Sequence, residues 1–168
     1  MYNDIFNNND IIKLQELLRA NKQTITSAES CTGGLVASMI TKIAGSSDIF
    51  NGSIVTYSNK IKNQELKVKN ETLENFGAVS CEVVSEMLEG VISKFEADYA
   101  IAISGIAGPT GDTKNKPVGT VVIGISDSKY HKNVNIHYFK GSREEVQIQA
   151  AKHSLKEILK FLQNTLDK

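Results

Sequence analysis

A chain of 168 residues is sized for a single domain, expected here to run from 1 to 168, and such a chain buries roughly 70% of its unfolded surface without disulfides or metals. Nineteen basic residues balance nineteen acidic ones, so the cationic surplus that nucleic acid requires is missing, while one small anionic ligand stays compatible. Cys31 and Cys81 offer neither metal-ligand spacing nor a disulfide framework, no apolar run approaches the ~20 residues of a membrane span, and the polar start MYNDIFNNNDIIKLQ is not a signal peptide, so a cytoplasmic protein is expected.

Residues 9–20 carry Ile11, Leu14 and Leu18 on one side of an amphipathic helix. Thr24, Ile25 and Thr26 favour a short strand. After SAESCTGG, a helix is predicted with Leu35, Val36, Met39, Ile40 and Ile43 as its apolar positions and Gly45 as its stop. FNGSIVTY (50–57) alternates as a second strand. The polar stretch 60–76 is expected to hold one or two short helices ended by Gly77, and Ser80 to cap a helix with a wide apolar face from Val83 to Phe95.

DYAIAISG and GTVVIGISD read as strands buried on both faces, and 133–139 as an edge strand. Ser142 and Glu145 match a capping box for a last helix with Ile148, Ala151, Leu155, Ile158 and Leu162 at spacings of three and four. Interleaved helices and strands predict an α/β fold: a three-layer α/β/α sandwich around a mixed, mainly parallel sheet, with antiparallel pairing where 119–127 and 133–139 join by a short connection.

In such sheets, ligands bind beyond the carboxyl ends of the strands. Two segments sit there: Ser27 to Gly34, and Ser104 to Pro109. Gly33 and Gly34 are poor helix formers, but at a helix start they let a ligand approach free backbone N–H groups, which favour a phosphate or an oxyanion. Ser30 stands where a nucleophile would, yet from this segment alone Ser30 and Thr32 read more simply as helix caps. Cys31 reads as a small buried hydrophobe rather than a thiol nucleophile.

A serine nucleophile needs a base. His131, His137 and His153 lack an acidic partner nearby in sequence, whereas a buried lysine can serve if its pKa falls toward 7–8. Lys60 and Lys62 follow the second strand, and the residues alone leave both open, each with a solvated reading beside it. Arg143 opposes the dipole of the last helix, which suits either an anion in front of it or a pairing with Glu144 or Glu29.

The string Ser27-Ala28-Glu29-Ser30-Cys31-Thr32-Gly33-Gly34 closely resembles the signature of the CinA C-terminal domain family, whose characterised enzymes are nicotinamide-nucleotide amidohydrolases. Further matches follow in family order: Ile43-Ala44-Gly45-Ser46-Ser47, Val55-Thr56-Tyr57-Ser58-Asn59, Gly77-Ala78-Val79-Ser80, Ile103 to Pro109, and Lys116-Pro117-Val118-Gly119-Thr120. The resemblance implies an amidohydrolase that converts nicotinamide mononucleotide to nicotinate mononucleotide and ammonia, without metal or cofactor. Carried over residue by residue, it implies Ser30 as nucleophile, Lys62 rather than Lys60 as base, and Tyr57 as a residue that assists or orients them. The implied substrate-binding residues are Thr32, Gly33, Gly34, Gly105, Ala107, Gly108 and Arg143, while the loop 110–116 is not expected to grip the substrate.

The phosphate is expected at Arg143 or at a second loop, such as one from a neighbouring subunit of a homo-oligomer. The longer family members carry an additional N-terminal domain, so this chain is expected to be the stand-alone form. A non-catalytic nucleotide-binding module is the competing expectation.

Overall fold

A computed structural model describes residues 4–166. The elements run α1 (Asn8–Ala20), β1 (Ile25–Glu29), α2 (Leu35–Thr41), β2 (Ile54–Val55), α3 (Asn59–Leu66), α4 (Asn70–Phe76), α5 (Cys81–Phe95), β3 (Tyr99–Gly105), β4 (Thr120–Asp127), β5 (Lys132–Tyr138) and α6 (Arg143–Leu166).

The five strands form one sheet in the order β2-β1-β3-β4-β5. β1 is parallel to both β2 and β3, β4 is antiparallel to β3, and β5 is antiparallel to β4. Only β4 therefore runs against the others, which makes the sheet mixed and mainly parallel. Alternation along the strands splits their side chains between two cores. Ile25, Ile101, Ile103, Ile123 and Ile125 face α1, α2 and α6, whereas Ala28, Ala100, Ala102 and Val122 face α3, α4 and α5. Three layers result, as the interleaved pattern predicts. No helix among the described residues is long and apolar enough to cross a membrane.

Two expected boundaries shift. The helix after the glycines ends at Thr41, not at Gly45. Gln15 of α1 donates its side-chain amide to the carbonyls of Ile40 and Ile43, satisfying the helix end from outside, and Gly45 instead opens a short 3-10 turn with φ of 88°. The second strand shrinks from 50–57 to Ile54–Val55, plus a single bridge from Phe50 to Ile25. Between them, Thr26 spends its hydroxyl on the Gly52 carbonyl at 2.7 Å, a side-chain bond outside the regular ladder. Ser80 caps α5 as predicted, accepting from Val83 N–H, and Ser142 with Glu145 closes a reciprocal capping box at the start of α6.

The site follows from this topology. The crossover from β1 to β2 runs through α2 on one face, and that from β2 to β3 runs through α3, α4 and α5 on the other. Chain connections thus leave β1 toward opposite faces on its two sides, and a crevice opens at its carboxyl end. Ser30 is the first residue beyond that end.

Candidate active site

Ser30 is held by its own backbone: its N–H donates to the Ile103 carbonyl of neighbouring β3 at 3.0 Å, and its carbonyl accepts from Gly33 N–H at 3.0 Å. The turn that follows needs φ of 59° at Gly33 and 102° at Gly34, the left-handed region where side chains are strained. A Cβ at Gly33 would meet nothing within 4 Å and one at Gly34 only Val55 at 3.6 Å, so the glycines serve backbone conformation rather than a close approach. Neither Ser30 nor Thr32 caps α2. Its N-cap is Gly34, and the first-turn N–H groups of Val36 and Ala37 donate to the Glu29 carboxylate at 2.9 and 3.1 Å.

Lys62 reaches Ser30 from α3. Its Nζ lies 3.1 Å from Ser30 Oγ and also donates to the carbonyls of Thr56 at 2.9 Å and Tyr57 at 3.4 Å. Ser58 caps α3 by accepting from Ile61 N–H, which sets the helix rotation that turns Lys62 inward. Lys62 is 1% exposed and Ser30 7%. Burial lowers the Lys62 ammonium from 10.5 to about 8, because a charge leaving water is destabilised. Lys60, two residues earlier, is exposed. Burial pushes the adjacent Cys31 thiol up to about 12, which leaves it unreactive at neutral pH.

These groups open into a cavity of about 260 Å³. Ser30, Cys31 and Lys62 line it together with the segment from Ser104 to Gly108, Tyr57 and Arg143. Of the residues anticipated as substrate contacts, Gly105, Ala107, Gly108 and Arg143 line this cavity, whereas Thr32, Gly33 and Gly34 do not. Gly105 permits a close approach, since a Cβ there would stand 3.0 Å from Cys31 Sγ and 2.7 Å from Val121.

Arg143 pairs with neither Glu144 nor Glu29. It donates to the Gly108 carbonyl at 2.8 Å and to the Tyr57 hydroxyl at 2.7 Å. Tyr57 therefore meets Lys62 through its backbone carbonyl, while its ring, 60% exposed, stands at the rim with Arg143. The three histidines lie elsewhere: His131 contacts Asp127, and His137 and His153 cluster with Phe139 between β5 and α6. Among the described residues no group of three His, Cys, Asp or Glu side chains could hold a metal ion.

Sequence reasoning gave Glu29 only a pairing with Arg143, set aside the loop that holds Thr110 and Gly111, and missed Gln147. The signal at Glu29 is its place, a carboxylate between a short strand and the glycine turn. Gln147 carried none, because its bond to the Cys31 carbonyl at 2.9 Å joins residues 116 apart in sequence. Thr110 and Gly111 belong to a loop that is better anchored than its composition suggests, with Lys116 Nζ donating to the Phe76 carbonyl at 2.8 Å.

A family model described as the CinA C-terminal domain matches residues 9–162. The Escherichia coli K12 protein named nicotinamide-nucleotide amidohydrolase PncC is 47% identical over 151 residues, which cover 89% of this chain and 92% of that protein. A CinA-like protein of Endomicrobium trichonymphae is 53% identical over 131 residues, 78% of this chain but 30% of that protein. The chain spans 30–38% of the length of several such longer curated relatives. Among solved structures, the competence damage-inducible protein A from Klebsiella pneumoniae superposes with a TM-score of 0.89 at 32% identity, covering 92% of this chain and 96% of that one.

Proposed function

The chain belongs to the CinA C-terminal domain family, and from that membership we propose that it is an amidohydrolase converting nicotinamide mononucleotide to nicotinate mononucleotide and ammonia, a reaction of NAD recycling. A relative of nearly equal length that bears the amidohydrolase name supports the substrate. The observation that carries the mechanism is the buried Lys62 amine 3.1 Å from the Ser30 hydroxyl.

A neutral amine has two N–H donors and one lone pair. Two carbonyls, those of Thr56 and Tyr57, take the N–H groups, which leaves the lone pair for the hydroxyl of Ser30. Ser30 Oγ then attacks the carboxamide carbon as its proton passes to Lys62. The backbone N–H groups of Cys31 and Thr32, next to the nucleophile in sequence, would serve as the oxyanion donors. Gly33, expected from sequence among the donors, gives its N–H to the Ser30 carbonyl instead, and an oxyanion donor is commonly worth about 3 kcal/mol. Protonated Lys62 returns its proton to the leaving nitrogen, ammonia departs, and water hydrolyses the acyl-enzyme to release the carboxylate product. Arg143, charged and at the cavity rim, suits the substrate phosphate.

The test is direct. Pure protein incubated with the mononucleotide should release ammonia, and Ser30→Ala and Lys62→Met should each lower kcat by at least about 10³. Binding without release would favour a non-catalytic nucleotide-binding module. Release that survives in Ser30→Ala but disappears in Cys31→Ala would favour a thiol nucleophile.

A further inference from the structure

The nucleophile turn holds a buried charge that this chemistry does not use. Glu29, the last residue of β1, is 0% exposed. Its Oε1 accepts from the Thr32 hydroxyl at 2.7 Å and from Val36 N–H at 2.9 Å. Its Oε2 accepts from Ala37 N–H at 3.1 Å and from the Ser27 hydroxyl at 3.3 Å. Each oxygen thus has two hydrogen-bonding partners, so the carboxyl group is fully engaged within the turn. Among the described residues no cation forms an ion pair with it. The start of α2 supplies partial positive charge instead.

A neutral Ser, Thr or Asn cap would satisfy α2 more simply, since burying an unpaired charge is costly. Glu29 does something such a cap would not. It sits before the turn in sequence, reaches across it, and binds both the middle (Thr32) and the far side (Val36, Ala37). The turn contains two glycines in left-handed conformations and is intrinsically loose. The bonds across it convert a flexible loop into a closed ring around Ser30.

We propose that Glu29 is a positioning residue of the reaction: by gripping Thr32, Val36 and Ala37 it holds the Ser30 hydroxyl in line with Lys62 and orients the backbone of the turn at Cys31 and Thr32. It rests on the Ser/Lys reading of the same site.

Glu29→Gln, Thr32→Val and Thr32→Ser test this in two assays: covalent labelling of Ser30 by a fluorophosphonate, and steady-state ammonia release from the mononucleotide. Glu29→Gln places an amide nitrogen against backbone donors, and a displacement of the nucleophile by an ångström is worth about 100-fold. Labelling rate and kcat should each fall by about that factor, with KM within about threefold and the pH midpoint unchanged. Thr32→Val should lose about tenfold in kcat, and Thr32→Ser, which keeps the hydroxyl, should recover most of that loss.

A shifted pH midpoint with an unchanged plateau would mean that Glu29 acts by charge on Lys62 and would overturn the proposal. So would a change confined to KM, or unaltered rates in a folded Glu29→Gln. If Glu29→Gln does not fold by circular dichroism, Thr32→Val decides, and full activity in it is fatal. Labelling of Ser30 without ammonia release defeats the substrate assignment alone, and the labelling arm still judges Glu29. Absence of labelling together with ammonia release that persists in Ser30→Ala defeats the Ser/Lys reading and this inference with it.

Discussion

An ammonium group keeps its charge cheaply only in water, and Lys62 has almost none around it. Its pKa near 8 means that ~10% of the amine is neutral at pH 7, enough for a base that regenerates each turnover. kcat/KM should therefore rise with pH through about 8, and a profile flat from 6 to 9 would contradict Lys62 as base. The same shift links to stability. Unfolded, the lysine titrates at 10.5; folded, at about 8. Below pH 8 both states hold the proton, and the folded state carries the full burial penalty. Between 8 and 10.5 the unfolded chain binds more protons, so stability rises with pH. Lys62→Met lacks this dependence. Urea titrations should show the unmodified protein gaining about 3 kcal/mol relative to Lys62→Met between pH 7 and pH 10.5.

The lysine arrives where it does because two helices approach unusually closely. Gly90, in the interior of α5, costs about 1 kcal/mol of helix propensity against alanine. A Cβ there would stand 2.1 Å from the Leu66 carbonyl at the end of α3, a contact with rigid backbone. The glycine thus lets α3, the carrier of Lys62, settle onto α5. Gly90→Ala is expected to destabilise by about 1–3 kcal/mol despite the better propensity, and to lower kcat by displacing Lys62 from Ser30. A more stable and fully active Gly90→Ala would refute the packing argument. Sequence periodicity found α5 and its apolar face, but nothing in it marks Gly90, because the reason lies in a chain segment 24 residues away.

Both cores are built on the same three central strands. Ile101 and Ile103 enter one, and Ala100 and Ala102 the other. Neither layer of helices can leave without exposing a strand face that the other layer also depends on. Thermal unfolding should accordingly follow a single transition, with far-ultraviolet circular dichroism and tyrosine fluorescence coincident. Two separated transitions would mean that the chain is not one domain. The site belongs to this scale as well, since β1, β2, α3, β3 and α6 each deliver part of it.

Local patterns were legible wherever the cause is local. Strand alternation, the apolar faces of α1 and α5, the caps at Ser80 and Ser142 and the two glycine-bearing segments depend on neighbours a few residues apart, and the chain states them directly. The choice between Lys60 and Lys62 was legible only through family resemblance; physically it follows from helix geometry, which turns residues two apart by about 200° and sends one inward and the other to solvent. The shortening of β2, the role of Glu29 in place of a Ser or Thr cap, the rim pairing of Arg143 with Tyr57 and the bond from Gln147 to the turn were decided by tertiary structure alone. Each depends on which distant group happens to face a donor or acceptor after the layers close, and a linear pattern does not encode that distance.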